Sequence, residues 1–186
     1  RLVLTLTAFA IAWSFAALAI AATYPFSKRF FALPQLYLGV AFGFGIPMAY
    51  AAVQNRLPLD CWLLLAANVC YSFAYDTEYA KVDRDDDAKL GIRTSALTLG
   101  RWDIAAVMGS YGLMLALLAL VGARVGLGVP YYAGLTVAAG LMVYHWFLIR
   151  GRTRAGCFKA FMHNNWVGAA VFAGIVFSYP ILLPWQ

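Results

Sequence analysis

Residues 130–149 read PYYAGLTVAAGLMVYHWFLI, and these 20 residues contain no formal charge. A membrane-spanning helix needs about 20 predominantly apolar residues to cross a hydrocarbon core of about 30 Å. Backbone groups in hydrocarbon must form hydrogen bonds within the protein, and a long apolar run without strand-like alternation favours a helix over a barrel strand. This stretch therefore predicts a transmembrane α-helix.

Similar apolar runs recur along the whole chain. The other five are residues 2–22, 36–53, 59–75, 104–122 and 160–179. Asp60, at the edge of one run, is the only formal charge in any of the six. The chain is 63% hydrophobic and 12% charged, whereas soluble domains contain about 25% charged residues. The sequence therefore predicts an all-α fold, a polytopic bundle of six transmembrane helices in a lipid bilayer, with residues 1–186 as a single domain.

The basic residues are distributed unevenly between the two sets of connections. Eleven of the 14 lie after the first, third and fifth apolar runs. By the positive-inside rule, these connections face the cytoplasm. The net charge of +6 follows from this bias and does not indicate nucleic-acid binding. The first run is longer than the apolar core of a signal peptide. We expect an integral protein of a bacterial inner (plasma) membrane.

The connection at residues 76–103 holds most of the acidic side chains. Six of the chain's eight acidic residues lie within twelve consecutive positions. With about 3.6 residues per helical turn, Asp76, Asp83 and Asp87 share one stripe, whereas Lys81 faces the opposite side. Carboxylates bind hard cations, and Mg²⁺ is commonly held by carboxylates together with substrate phosphates. The stripe is a candidate Mg²⁺–diphosphate site, and a solvated acidic loop balanced by basic neighbours is the alternative.

The two histidines, His145 and His163, lie in apolar runs. They have no cysteine or carboxylate neighbours at the sequence spacing of metal ligands. Packing or a satisfied hydrogen bond is the expected role of such a histidine. We therefore assign no chemistry to either side chain.

Residues 76–96, DTEYAKVDRDDDAKLGIRTSA, closely resemble the second aspartate-rich motif of the UbiA superfamily, in the version found in 4-hydroxybenzoate polyprenyltransferases. The resemblance continues in residues 24–30 (YPFSKRF), 38–48 (LGVAFGFGIPM) and 157–165 (CFKAFMHNN). It implies a nine-helix membrane fold, of which the six predicted helices would be helices four to nine. The family's first motif, of the type N-D-x-x-D-x-x-x-D, has no counterpart here, so we expect an N-terminally truncated chain.

The resemblance also implies roles for individual residues. Asp83 and Asp87 match the family's D-x-x-x-D pair, the expected catalytic ligands of Mg²⁺, and Asp76 is expected to support the metal site and to bind substrate. Tyr24 and Lys28 match a Y-x-x-x-K pattern. Lys28 is expected to be catalytic, because its ammonium would contact the diphosphate, and Tyr24 is expected to bind substrate.

Two arginines complete the candidate binding residues. Arg29 follows Lys28, and its guanidinium suits a phosphate or the carboxylate of the acceptor. Arg84 lies on the flank of the aspartate stripe. Without the motif match, Lys28 and Arg29 would be explained by positive-inside anchoring alone.

The reaction implied by the resemblance is a Mg²⁺-dependent prenyl transfer. A polyprenyl group would pass from polyprenyl diphosphate to the ring carbon ortho to the hydroxyl of 4-hydroxybenzoate, in ubiquinone biosynthesis, at an active site facing the cytoplasm. A different aromatic or quinone-precursor acceptor is one alternative. A divalent-cation transporter is another, but it predicts ionisable residues at membrane depth, and the apolar runs contain essentially none. Because only the second motif is present, we expect the 186-residue chain alone to be inactive.

Overall fold

The computed structural model of the protein describes residues 6–179, apart from the side chains of Lys28 and Phe30. The regular structure of this part of the chain is helical, which confirms the all-α prediction. The helices are α1 (Ala8–Phe30), α2 (Pro34–Gly43), α3 (Gly45–Gln54), α4 (Leu59–Val82), α5 (Arg84–Leu90), α6 (Ser95–Leu99), α7 (Asp103–Val125), α8 (Val129–Ile149) and α9 (Arg154–Ser178). A 3₁₀ turn, Gly100–Trp102, joins α6 to α7.

Five stretches of the described chain are long and apolar enough to cross a membrane. They are Ala8–Ser27, Pro34–Gln54, Ser95–Val125, Val129–Ile149 and Arg154–Ser178. Each contains or overlaps one of the predicted apolar runs, and the chain is an integral membrane protein. The remaining run, residues 59–75, lies within α4, which falls short of the same criterion because its charged and amide side chains lower its hydropathy. The count of six transmembrane helices is therefore not confirmed.

The position of α4 explains why it carries polar residues. This helix packs against α2 and α3 on one side and against α7 and α9 on the other. A helix surrounded by protein can direct polar side chains towards partners on its neighbours, whereas a lipid-facing helix cannot. α4 is thus the central helix of the bundle, and its sequence reflects protein contacts rather than lipid contacts.

One predicted helix is divided in two. Residues 36–53 form α2 and α3, with the break at Phe44. Pro47 lies in the first turn of α3, and proline has no N–H to donate to a carbonyl four residues earlier. The hydrogen-bond ladder is therefore interrupted here, although α2 and α3 together form one candidate span.

Small residues bring the helices close together at two interfaces. A Cβ on Gly134 of α8 would lie 2.7 Å from the Ala170 carbonyl oxygen and 2.9 Å from Cα of Gly174 in α9. A Cβ on Gly39 of α2 would lie 2.8 Å from Cα of Val69 in α4. Such contacts are typical of membrane helices, where close backbone packing replaces the hydrophobic driving force.

The two ends of the bundle differ in charge. One end of the bundle, which we call the charged end, carries α5 and α6. Three helices terminate there (α1, α4 and α8), and three begin there (α2, α7 and α9). The predicted acidic connection, residues 76–103, lies here. It consists of the last two turns of α4, followed by α5, α6 and the 3₁₀ turn. At the opposite end Asp60 forms an ion pair with Arg124, which gives the one charge of the apolar runs a partner.

Candidate functional site

The aspartate stripe crosses a break in the helix. α4 ends at Val82, α5 begins at Arg84, and Asp83 between them has φ −99° and ψ 7°. The predicted stripe of Asp76, Asp83 and Asp87 requires one continuous helix through residues 76–87, and this requirement is not met at Asp83. The Asp87 N–H still donates to the Asp83 carbonyl oxygen at 2.8 Å. Asp83 and Asp87 thus remain one helical turn apart, as the sequence spacing indicates.

The surroundings of Asp83 include one cation and one hydroxyl. Arg154, at the start of α9, places Nη2 3.6 Å from Asp83 Oδ1 and 3.7 Å from Asp86 Oδ2. The negative charge of Asp83 raises the pKa of Tyr79, one turn earlier on α4. The Arg154 side chain is 67% exposed, so this is a surface ion pair of small energetic weight. Moving the arginine away from Asp83 therefore costs little free energy.

The predicted residues of α1 lie at the same end of the bundle. Tyr24 stacks on Tyr37 of α2, with ring centroids 6.4 Å apart and planes at 10°. Asp76 is half-buried in the last two turns of α4. Arg29 is exposed, and the side chain of Lys28 lies outside the described part of the chain. The structure thus places Tyr24 and Asp76 at the same end of the bundle.

Metal binding here requires ligands from outside the described side chains. Within residues 6–179, no group of three or more His, Cys, Asp or Glu side chains is arranged to hold a metal ion by itself. Asp76, Asp83 and Asp87 are therefore not a complete ligand set. The carboxylates of Asp83 and Asp87, on successive turns, fit a divalent cation that takes its remaining ligands from phosphates and water.

A buried ion-pair cluster behind the stripe was missed by the sequence analysis. Lys81 Nζ lies 3.0 Å from Asp103 Oδ2, and Arg152 Nη2 lies 2.7 Å from Asp103 Oδ1. The hydrogen bond to Asp103 raises the pKa of Arg152. The backbone of Arg152 has φ 51°, which is unusual for a residue other than glycine. This cluster connects the end of α4 to the start of α7 and to the α8–α9 turn. Its members are too far apart in sequence for a local pattern to pair them.

A second buried polar cluster joins α4 to three other helices. Asn164 Nδ2 donates to Glu78 Oε2 at 2.7 Å, and the Tyr111 hydroxyl lies 3.1 Å from Glu78 Oε1. His145 Nδ1 lies 3.4 Å from the same Oε1, and His145 Nε2 lies 3.1 Å from His163 Nδ1. The expectation of a satisfied hydrogen bond for the histidines is confirmed. The burial of Glu78 was missed, although helical spacing places it on the face opposite the aspartate stripe.

An apolar cavity of about 250 Å³ lies between α3, α4, α7 and α9. Its lining includes Ile46, Leu64, Met114 and Phe172, with Asn68 and Tyr71 as the polar members. The Tyr71 hydroxyl donates to the Asn164 carbonyl oxygen at 2.7 Å, so that donor is already occupied. This cavity accepts hydrocarbon rather than a charged group.

Comparisons with known proteins agree in sequence and in fold. A family model described as the UbiA prenyltransferase family matches residues 2–167. The chain is 61% identical over 180 residues to the 4-hydroxybenzoate octaprenyltransferase of Azoarcus sp. (strain BH72), covering 97% of this chain and 63% of that protein. It is 60% identical over 178 residues to the 4-hydroxybenzoate octaprenyltransferase of Paraburkholderia phymatum, covering 96% of this chain and 62% of that protein.

A solved structure is similar over most of the fold. The apo structure of a UbiA homologue from Aeropyrum pernix K1 matches with a TM-score of 0.78 at 28% identity. The match covers 92% of this chain and 65% of that one. The chain thus spans a little under two thirds of the length of each of these three proteins.

Proposed function

The chain belongs to the UbiA prenyltransferase family, and on this basis we propose that it forms the part of a membrane prenyltransferase that holds a polyprenyl diphosphate through a divalent cation. The observation that carries the proposal is the pair of carboxylates, Asp83 and Asp87, one helical turn apart at the charged end of a membrane bundle. Asp76 and Tyr24 lie at the same end and complete one side of the site.

The proposed reaction is transfer of the polyprenyl group to the ring carbon ortho to the hydroxyl of 4-hydroxybenzoate, as in ubiquinone biosynthesis. The names of the relatives, 4-hydroxybenzoate octaprenyltransferases at about 60% identity, support this acceptor. Another aromatic acceptor is the alternative within the family. A cation transporter has no comparable support, because the matching family consists of prenyltransferases.

The chemistry assigns a task to each residue. A divalent cation, proposed to be Mg²⁺, would neutralise charge on the departing diphosphate. Asp83 and Asp87 would hold that cation, and the ammonium of Lys28 would add a positive charge to the site. The allylic C–O bond breaks with its electrons on the diphosphate, the ring carbon bonds to the allylic carbon, and the ring loses a proton. The apolar bundle keeps water from the reacting carbon.

The orientation of the site is also a proposal. Eleven of the 14 basic residues lie in the connections of the charged end, which supports a cytoplasmic position for that end in a bacterial inner membrane. A charged end facing the cytoplasm would give the site access to water-soluble 4-hydroxybenzoate, while the prenyl chain stays in the bilayer.

The test compares the wild-type complete gene product with its carboxamide variants. Each is expressed in membranes that have no prenyltransferase activity of their own towards 4-hydroxybenzoate. Asp83→Asn and Asp87→Asn should each lower prenylation of 4-hydroxybenzoate by roughly a hundredfold or more, because electrostatic stabilisation is among the largest catalytic contributions. Asp60→Asn, the same substitution at the opposite end of the bundle, is the matched control and should retain activity. Wild-type turnover in a purified Asp83→Asn/Asp87→Asn variant would rule out the proposed metal site.

A further inference from the structure

A second cavity, which is polar and has a volume of about 390 Å³, lies at the charged end between α5 and the α8–α9 turn. We call it the basic cavity, because five of its eight lining residues are basic and only two are acidic: Lys81, Arg84, Lys89, Arg152 and Arg154, with Asp85, Asp86 and Val82. Asp83 and Asp87 do not line it. Of the residues proposed for the prenyl transfer, only Arg84 lines it, and Arg154 pairs with Asp83, so the basic cavity adjoins the aspartate pair but has a different lining.

The acidic residues neutralise only part of this positive charge. Asp86 lies 3.6 Å from Lys89 and 3.7 Å from Arg154. Asp103, behind the cavity, pairs with both Lys81 and Arg152. Together with Asp85 and with Asp83, which also pairs with Arg154, these carboxylates leave one positive charge in excess. An excess of this kind within a concave site favours an anionic occupant.

The ammonium of Lys81 gives a second, independent indication. Its side chain is 2% exposed, and Nζ lies 3.0 Å from Asp103 Oδ2 but has no hydrogen-bond partner of acceptable geometry. An ammonium has three N–H donors, and leaving the donors of a buried charge unused costs free energy. Because Lys81 lines the cavity, an oxygen-rich anion bound there would accept hydrogen bonds from it.

Aromatic residues indicate the depth of the cavity in the bilayer. Arg101 lies over the exposed ring of Trp102 at 5.3 Å, and Arg150 lies over Trp146 and Phe147 at 5.3 and 5.1 Å. Tryptophan at helix ends, beside basic residues, is typical of the headgroup layer of a membrane. These pairs flank the turn that carries Arg152, so the basic cavity lies at the level of lipid phosphates.

We propose that the basic cavity binds a phosphate group. Two sources supply that chemistry at this position: the headgroup of an anionic phospholipid and free diphosphate. Lys81, Arg152 and Arg154 would donate to the phosphate oxygens, and guanidinium groups suit such oxygens because two N–H groups can bind them at once. This site takes its ligand directly through basic side chains, whereas the aspartate pair takes it through a cation.

The two sources are distinguished by titration of the purified complete gene product in a neutral detergent with EDTA, so that the aspartates hold no metal. Dioctanoyl phosphatidylglycerol, dioctanoyl phosphatidylcholine and sodium diphosphate are added separately, and tryptophan fluorescence is recorded. Tighter binding of phosphatidylglycerol than of phosphatidylcholine supports the lipid headgroup. Saturable binding of diphosphate supports the free anion. If neither is observed, the proposal is wrong.

Paired variants locate the binding. Lys89→Gln/Arg154→Gln removes two exposed charges from the cavity, and Arg150→Gln/Lys159→Gln removes two exposed charges from the same end outside it. Since each basic residue near an anionic lipid contributes about fivefold in affinity, the first pair should weaken binding by roughly 25-fold. The control pair should change it by less than about threefold, because neither side chain lines the cavity and exposed charges are screened by salt. Equal losses in both pairs would overturn the assignment to this cavity.

Discussion

Replacing Glu78 by leucine should strongly destabilise the protein, because the Glu78 carboxylate connects α4 to three other helices. The carboxylate accepts a hydrogen bond from Asn164 of α9 at 2.7 Å and lies 3.1 Å from the hydroxyl of Tyr111 in α7. His145 of α8 lies 3.4 Å away, and both side chains of that pair are fully buried. Leucine fills similar space but offers no acceptor.

The magnitude follows from the groups that lose their partner. Tyr111 keeps an acceptor in Asn164 Oδ1 at 2.8 Å, so its hydroxyl remains satisfied. The Asn164 amide and the His145 imidazole lose the carboxylate, but Asn164 Nδ2 keeps the Ala160 carbonyl oxygen at 3.1 Å and His145 Nδ1 keeps the Tyr111 hydroxyl at 3.3 Å. A buried polar group left without a partner costs about 1–3 kcal/mol, and hydrogen bonds between membrane helices contribute at most about 1.7 kcal/mol. Because neither group is left without a partner, the loss of two contacts between helices predicts a decrease of about 1–3 kcal/mol in the free energy of unfolding.

The assay is reversible unfolding of the complete gene product in mixed micelles, with increasing mole fraction of dodecyl sulfate and helix content followed by circular dichroism. Glu78→Gln keeps one oxygen acceptor and should be destabilised less than Glu78→Leu. Asp85→Leu, at an exposed position of α5, is the control, because surface substitutions usually stay within about 0.5 kcal/mol. A Glu78→Leu variant as stable as this control would refute the stabilising role of the cluster.

Three further outcomes are expected. Lys28→Ala should raise KM for the prenyl diphosphate, and Arg29→Ala should weaken the use of one or both substrates, as measured by steady-state kinetics. If the kinetic constants of both variants are unchanged, these residues have a role in membrane topology only. Asp103→Asn should lower the free energy of unfolding by about 3–5 kcal/mol, because it leaves Lys81 as a buried, unpaired charge. Asp86→Asn is the control, and a loss for Asp103→Asn no larger than the loss for Asp86→Asn would contradict this prediction. The 186-residue chain, expressed alone and supplied with Mg²⁺ and both substrates, should insert in membranes but form no product, because it carries only the second aspartate motif. Robust product formation would show that the second motif is sufficient for catalysis.

Local sequence was sufficient for the fold class and for the aspartate pair. The apolar runs predicted membrane helices, because burial in hydrocarbon is a demand on each segment separately. The spacing of Asp83 and Asp87 predicted their relation, since residues four apart on a helix lie on one face whatever surrounds them. Lys81 was placed on the opposite face for the same reason, and its burial against Asp103 agrees with that placement.

The partners of buried charges were decided only by the tertiary structure. Glu78 reads in sequence as one of six neighbouring acids, yet it is fully buried, because α7, α8 and α9 bring Tyr111, His145 and Asn164 to one point on α4. Such contacts join positions 33 and 86 residues apart in the chain. Helical periodicity determines which face a side chain occupies, but only the packing of the whole bundle determines which helix meets that face.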